Sequence, residues 1–425
     1  MPSGITIQAS PPAYTPVYSP AWFTAISSNV AAANFKYRVK ITDVLTSQVI
    51  QRDYDPDPSN SNKLVLDTNA FAEEFVKNFV PNNQYGWKLC TDAIRQIKVN
   101  IGEYYGTTPA YTAGSDQYYL VWNGSLSELQ WPDYLLTDYV YKSSTSNWKF
   151  ISSYNFSAFT PRYKLNNRAY TDKSSFIYCL SSEADDMEAI RIKCYDSSGS
   201  LIQSSIIANP FSGTTTYTNQ YVCIDVGRKG LDNISSGLVT GTYPIIPSNC
   251  DYYEIEDVGI SGEEPPFTYT LRKIIQRLYI SCEAKYDVYT VHYLSQAGNF
   301  ETVHFPKVSS MDNVSEKTSF NQNPFALNAS NVNTYTKFTL REKVVNASYE
   351  ERLTLQTDWL TYEEIAAHKE IIDSPVVYID YGSTIGLIPV MVETNSYKIR
   401  KKFNTGEPAF QITVKKGFKN SKQRG

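Results

Sequence analysis

Histidine is nearly missing from this chain of 425 residues: only His292, His304 and His368 occur, beside four methionines and six tryptophans. That scarcity removes most candidates for the usual physiological acid–base group and metal ligand. Other signatures are absent as well. There is no GxxxxGK[ST] phosphate loop, no GxGxxG, no HExxH and no GxSxG. None of the six cysteines forms a CxxC pair, so the spacing of a zinc site is missing. Charged residues make up 19% of the chain and the net charge is −4, which argues against a surface that grips nucleic acid throughout. The longest apolar run near the C-terminus, 385–392, is too short for a bilayer span of about 20 residues. Met1-Pro2-Ser3-Gly4 is not followed by a basic stretch and an apolar core, so no secretory signal is expected.

Aromatics are abundant, with 34 tyrosines and an aromatic share of 14%. With 42% hydrophobic residues the chain has enough apolar surface to fold, and its length predicts two or three domains. Most periodic segments alternate with period two. Phe35, Tyr37, Val39 and Ile41 interleave with Lys36, Arg38, Lys40 and Thr42. Ile97, Val99 and Ile101 repeat the pattern, as do Tyr118, Leu120 and Trp122, then Ile190, Ile192 and Cys194. Residues 288–294 and 300–305 read as strands around the turn Ser295-Gln296-Ala297-Gly298-Asn299. Many short strands broken by Gly, Pro, Asn and Ser predict a mainly β fold of two or three sandwich-like or barrel-like domains.

A few short helices are expected, at about 71–80 and 362–372. Phe71, Phe75 and Phe79 would share one helical face. Thr361 and Glu364 form a capping box, with Leu360 and Ile365 at the staple positions, and Ser374-Pro375 should stop that helix. Soft boundaries divide the chain into an arm at 1–25, domains at 26–148 and 149–265, and a C-terminal domain at 266–425 with a basic tail. The arm carries five prolines with Tyr14, Tyr18, Trp22 and Phe23 as aromatic anchors. It could lie on its own domain or clasp a neighbouring subunit.

Chemical candidates are sparse. Cys179, Cys194, Cys223 and Cys282 sit in apolar runs and read as small buried hydrophobes. His292 and His304 flank the 295–299 turn and read as structural, with no third metal ligand. His368 follows Glu364 by four residues and reads as half of an exposed helix pair. The acidic doublets Asp185-Asp186, Glu263-Glu264 and Glu363-Glu364 read as solvated turns or a helix start. No catalytic residue, metal or cofactor is expected. From Lys398 onward nine basic residues face Glu407 alone, a segment of +8 that leaves about −12 for the rest of the chain. Lys415, Lys416, Lys419, Lys422 and Arg424 suit a solvated strand edge, a polyanion or an acidic surface on another subunit.

Several stretches carry a resemblance. YTPVYSPAWFTAIS, NFKYRVKI and LDTNAFAEEFV near the start, VHYLSQAGNFETVHF in the middle, and WLTYEEIAAHKEIIDSPVVYI with LIPVMVETNSYKIRKK near the end are similar to virion proteins of tailed phages of Bacteroidetes, the crAss-like phages among them. The resemblance implies a structural tail or neck component, assembled as a ring in the host cytoplasm and residing in the virion. Its partners would be other copies of itself, other tail or neck proteins and viral DNA in the channel, with no membrane. A carbohydrate-binding or receptor-binding tail protein is the alternative. The resemblance brings no catalytic residue.

Overall fold

A computed structural model describes residues 4–79, 85–106, 110–125, 140–142, 149–151, 168–181, 188–211, 220–261, 268–281, 285–296, 298–307, 309–321, 325–327, 329–330, 332–335, 342–360, 365, 368–382, 385–394, 409–416 and 420–421. The protein is mainly β, in several separate sheets, with short helices at Asn69–Ala72, Arg228–Asn233 and Glu370–Asp373. It forms two compact units, one of residues 1–283 with 293–302 and one of 284–292 with 303–425.

The first unit holds two layered cores. In the first, Ile5–Ala9, Trp22–Ser27 and Leu64–Asp67 form a three-stranded sheet. Its partner sheet runs Tyr14–Pro16, Asp116–Trp122, Ile94–Tyr105, Lys36–Asp43, Val49–Tyr54. The two share one core, with Phe23, Ala25, Leu64 and Leu66 from one sheet and Tyr37, Val39, Ile41, Ile97, Val99 and Ile101 from the other. Lys36–Asp43 buries every second residue, as its alternation predicts.

The residues expected as an arm are therefore strands of this unit. Buried Glu103 ties them down, accepting from the Gly4 amide at 2.9 Å, the Ser27 hydroxyl at 2.6 Å and the Asn29 amide group at 2.9 Å. The expected domain boundaries after residues 148 and 265 fall at 143–148 and 262–267, which lie outside the described residues, and strands on both sides of each belong to the first unit.

In the second core a five-stranded sheet, ordered Val140–Lys142, Lys149–Ile151, Phe176–Ser181, Gln220–Asp225, Trp87–Leu89, shares apolar residues with a six-stranded one. The latter runs Arg168–Ala169, Thr268–Ile280, Tyr252–Ser261, Ala189–Tyr195, Leu201–Ala208, Val239–Gly241. Ile177, Cys179, Val222 and Ile224 meet Ile190, Ile192, Cys194 and Ile255. Asp225 is fully inside. It accepts from the backbone amides of Ser175 and Gly227, both at 2.9 Å, and so pins the turn that opens Arg228–Asn233.

The described cysteines Cys90, Cys179, Cys194, Cys223 and Cys250 are all buried with free thiols, and Cys282 is outside the described residues. The 295–299 turn also belongs to the first unit. Gly298 takes φ +86° with its α-carbon so close to Asn123 that an added Cβ would lie 2.4 Å from the Asn123 carbonyl oxygen. Only glycine fits both constraints.

The main sheet of the C-terminal half is ordered Phe300–Phe305, Tyr289–Leu294, Val377–Asp380, Leu387–Val392, Ala409–Lys416, Glu342–Trp359, Ser310–Asn321. Two helix expectations change. The first helix covers only Asn69–Ala72: the Glu74 and Phe75 amides bond the carbonyls three residues back, Phe71 and Ala72, and the Lys77 amide then leaves for the Asp92 carbonyl at 2.7 Å. Of the second, Ile365, His368 and Glu370–Asp373 carry helical backbone, which ends before Ser374-Pro375, while Thr361 and Glu364 lie outside the described residues.

His368 is not the exposed helix residue expected from sequence. It is 1% exposed, its ring lies 6.4 Å from that of Phe410, and neither ring nitrogen has a hydrogen-bond partner among the described residues. Burial pushes the imidazole down to about 3 from its ordinary 6.5. The folded state therefore disfavours the proton, and the stability this gives is present above the ordinary value and lost as pH falls toward 3. From this residue the second unit should lose about 3 kcal/mol between pH 7 and pH 4. Urea unfolding at both pH values checks it: His368→Leu should have the shallower dependence, and equal dependences would put His368 in water.

Candidate assembly surfaces

The N-terminal sheet presents an aromatic patch. Along Trp22–Ser27 alternate side chains face opposite ways, so Phe23 is buried at 1% exposure while Trp22 stands at 48%. Phe23 is thus corrected from surface anchor to core residue, packed edge-on to Tyr119 at 6.0 Å. Tyr18 and Val65 are exposed near the same strand, Val65 standing opposite Thr24. The loop that carries Tyr18 is fixed from below. The Asn69 amide donates to the carbonyls of Pro16 at 2.9 Å and Ser19 at 2.5 Å, and the Thr68 and Tyr119 hydroxyls bond at 2.8 Å. The backbone of Tyr14 lies in the strand Tyr14–Pro16.

A second surface crosses the outer face of Ala189–Tyr195, Tyr252–Ser261 and Thr268–Ile280. Register sets Tyr195 opposite Tyr252 and Tyr252 opposite Tyr279. Their ring centroids are 4.9 and 5.5 Å apart. One row along, Lys193 and Arg277 flank Glu254 in the same way. Glu254 accepts from Arg277 Nε at 2.9 Å and the Tyr195 hydroxyl at 3.1 Å. Arg191 and Lys193 reach Glu256 at 2.6 and 2.9 Å. Burial, then the charge of Glu254, push the Tyr195 phenol up to about 12. Sequence reasoning missed this row. Each strand contributes one tyrosine, and only the pairing register aligns them.

The third surface is a ribbon. Ser310–Asn321 has 12 residues, every one exposed, and pairs along its whole length with the 18-residue Glu342–Trp359. It ends its sheet, so its outer edge faces no strand among the described residues. Ala409–Lys416 supports Glu342–Trp359 only from Arg352 to Trp359, and Asn420–Ser421 pairs with Ser348 and Tyr349. Beyond that, Lys317–Asn321 and Glu342–Ala347 form a two-stranded ribbon. Met311, Val314, Phe320, Val344 and Val345 are exposed on it. No charged residue occurs between Lys317 and Lys337.

The basic segment reads differently. Lys415 lies 3.6 Å from Glu393, which Arg352 also reaches at 3.2 Å, and Lys416 pairs with Glu351. The bond to Glu351 raises the Lys416 ammonium above its ordinary range. Both lysines therefore have carboxylate partners in their own sheet. Lys419, Lys422 and Arg424 lie outside the described residues, as do the three acidic doublets. His292 and His304 are buried, with the Thr290 hydroxyl 3.0 Å from His304 Nδ1. Among the described residues no three His, Cys, Asp or Glu are placed to hold a metal ion, and no helix is long and apolar enough to cross a membrane. No protein-family model matches the chain, and no curated protein matches it.

Proposed function

We propose that this chain is a structural subunit of a tailed-phage virion, forming an oligomeric ring or hub in the tail or neck. The observation that carries this reading is the ribbon. A 12-residue edge strand is about 40 Å long, and its outward-facing amides and carbonyls meet no strand among the described residues; stable monomers blunt such edges with charge, proline or cover. This one has no proline, and its charges, Asp312, Glu316 and Lys317, leave residues 318–321 at its far end without any. A two-stranded ribbon is marginal by itself, so a neighbouring chain that covers it adds stability as well as contact.

Ring subunits meet head to tail and need two unlike faces. The patch of Tyr18, Trp22 and Val65 supplies a second, aromatic one. Partners are other copies of the chain and other tail or neck proteins. Lys419, Lys422 and Arg424 would be the residues to meet viral DNA in the channel. The carbohydrate-binding alternative needs free aromatic faces. In the tyrosine row they are taken, since Tyr252 stacks on Tyr195 at an angle of 11° and carries the Arg277 guanidinium 4.9 Å from its centroid, which leaves exposed Tyr18 and Trp22 for that reading.

Electron microscopy of the purified protein and of virions tests the reading. Rings or hubs containing this chain are expected. The double variant Val314→Lys with Thr318→Lys should unfold within about 0.5 kcal/mol of the native protein and fail to assemble. A native chain that stays monomeric and never enters particles would sink the proposal.

A further inference from the structure

The three-stranded sheet of the first unit has an open edge. Leu64–Asp67 pairs with Trp22–Ser27 on one side and meets no strand on the other among the described residues. The Thr68 amide bonds the Ala21 carbonyl at 3.0 Å. In this antiparallel ladder Leu64 and Leu66 therefore turn their amides inward, and Val65 and Asp67 turn theirs to the open side. The edge is short, because the preceding residue, Lys63, is bridged to Asp57. Its two faces are unlike. Leu64 and Leu66 line the first core, while Val65 and Asp67 share the outer face with exposed Trp22.

We propose that this edge receives the ribbon of a second copy of the chain. Residues 317–320 add as a fourth strand, antiparallel to Leu64–Asp67, with Lys317 opposite Asp67 and Phe320 opposite Leu64. The inference rests on the ring reading and names the contact that joins one subunit to the next.

Charge selects the register. Lys317 is the one cation of Ser310–Asn321, and here it faces Asp67. A register with Asp312 or Glu316 in that place would set like charges opposite each other. Charge also selects the direction. A parallel strand with the same Lys317–Asp67 pair would lay Glu316 against Leu66, over the core, whereas the antiparallel strand lays uncharged Thr318 there. The apolar side chains then agree. Thr318 and Phe320 fall on the side of Leu64 and Leu66, so Phe320, 47% exposed in the single chain, extends the first core. Ser319 meets Val65 on the face that carries Trp22.

Two full-length variants test the contact, Val65→Cys and Ser319→Cys. An antiparallel pair in this register holds the two α-carbons about 5.5 Å apart, within disulfide reach. The variants are mixed, assembled and oxidised with copper phenanthroline, and non-reducing gels with peptide mass spectrometry read the product. A 65–319 link between two chains is expected in the mixture and in neither variant alone, and Val65→Cys mixed with Asp312→Cys should give none. Lys317→Glu should weaken assembly by about tenfold or more with an unchanged unfolding midpoint, and Lys317→Arg should assemble like the native chain. Rings that form without the 65–319 link, a 319–319 link between two ribbons, or a Lys317→Glu chain that assembles normally would each overturn this contact while the ring reading stands. A native chain that never assembles would overturn both.

Discussion

Replacing Asp225 with alanine is expected to destabilise the first unit by about 3–5 kcal/mol at pH 7, among the largest effects of any single substitution. The carboxylate is fully buried and accepts from the Ser175 and Gly227 amides at 2.9 Å. Alanine orphans both amides in a place water does not reach, and each orphan costs about 1–3 kcal/mol. The same group gives a pH dependence of unusual sign. Burial pushes its carboxyl up to about 7, against the Ser175 amide, the Ser174 hydroxyl, the Gly227 amide and Lys229, all of which favour the anion.

The ordinary value is 3.8, so the folded state holds the proton more tightly than the unfolded chain does. The resulting stability is full at the lowest pH and is lost as pH rises through about 7. From this group alone the loss between pH 4 and pH 8 is about 4 kcal/mol. Asparagine keeps the shape and cannot titrate, so Asp225→Asn should remove that part of the slope. Denaturant unfolding followed by the fluorescence of core residue Trp87 reports on this unit. An Asp225→Asn protein with the native pH profile would show that the carboxyl is ionised throughout.

The second large effect separates two neighbours in sequence. Phe23→Ala should cost about 3–5 kcal/mol, because it empties a ring-sized volume between the sheets that bury Val39 and Ile97. Trp22→Ala should cost about 1 kcal/mol or less, since the indole is half exposed, yet it should weaken assembly. Urea unfolding and particle imaging of the two variants give the readout. If Trp22→Ala unfolds as readily as Phe23→Ala, the side chain is structural. If it assembles normally, the patch is not a subunit contact.

Much of the strand content was legible in the sequence, because alternation is a local property. Lys36–Asp43 needed only Tyr37, Val39 and Ile41 on one side and lysine and arginine on the other. The row of Tyr195, Tyr252 and Tyr279 was not legible, since it depends on the register between strands far apart in the chain. Proline density at 1–25 suggested an extended arm, lying on its own domain or clasping a neighbour. The prolines instead punctuate short strands, and the decisive partner, Glu103, lies far along the chain. His368 was misjudged for a related reason: a polar residue on a short helix looks exposed until Phe410 is known to lie over it.

The division of the chain also bears on the order of synthesis. Residues 293–302 complete the first unit, where Gln296 accepts from the Ser125 amide at 2.8 Å and the Gly298 carbonyl accepts from the Tyr221 hydroxyl at 3.3 Å. They follow 284–292, which belong to the other unit. A nascent chain that has reached residue 283 already carries every residue of both cores but not this turn. The bonds to Ser125 and Tyr221 therefore form only after residues 293–302 leave the ribosome, and until then the surface they cover stays open to chaperones.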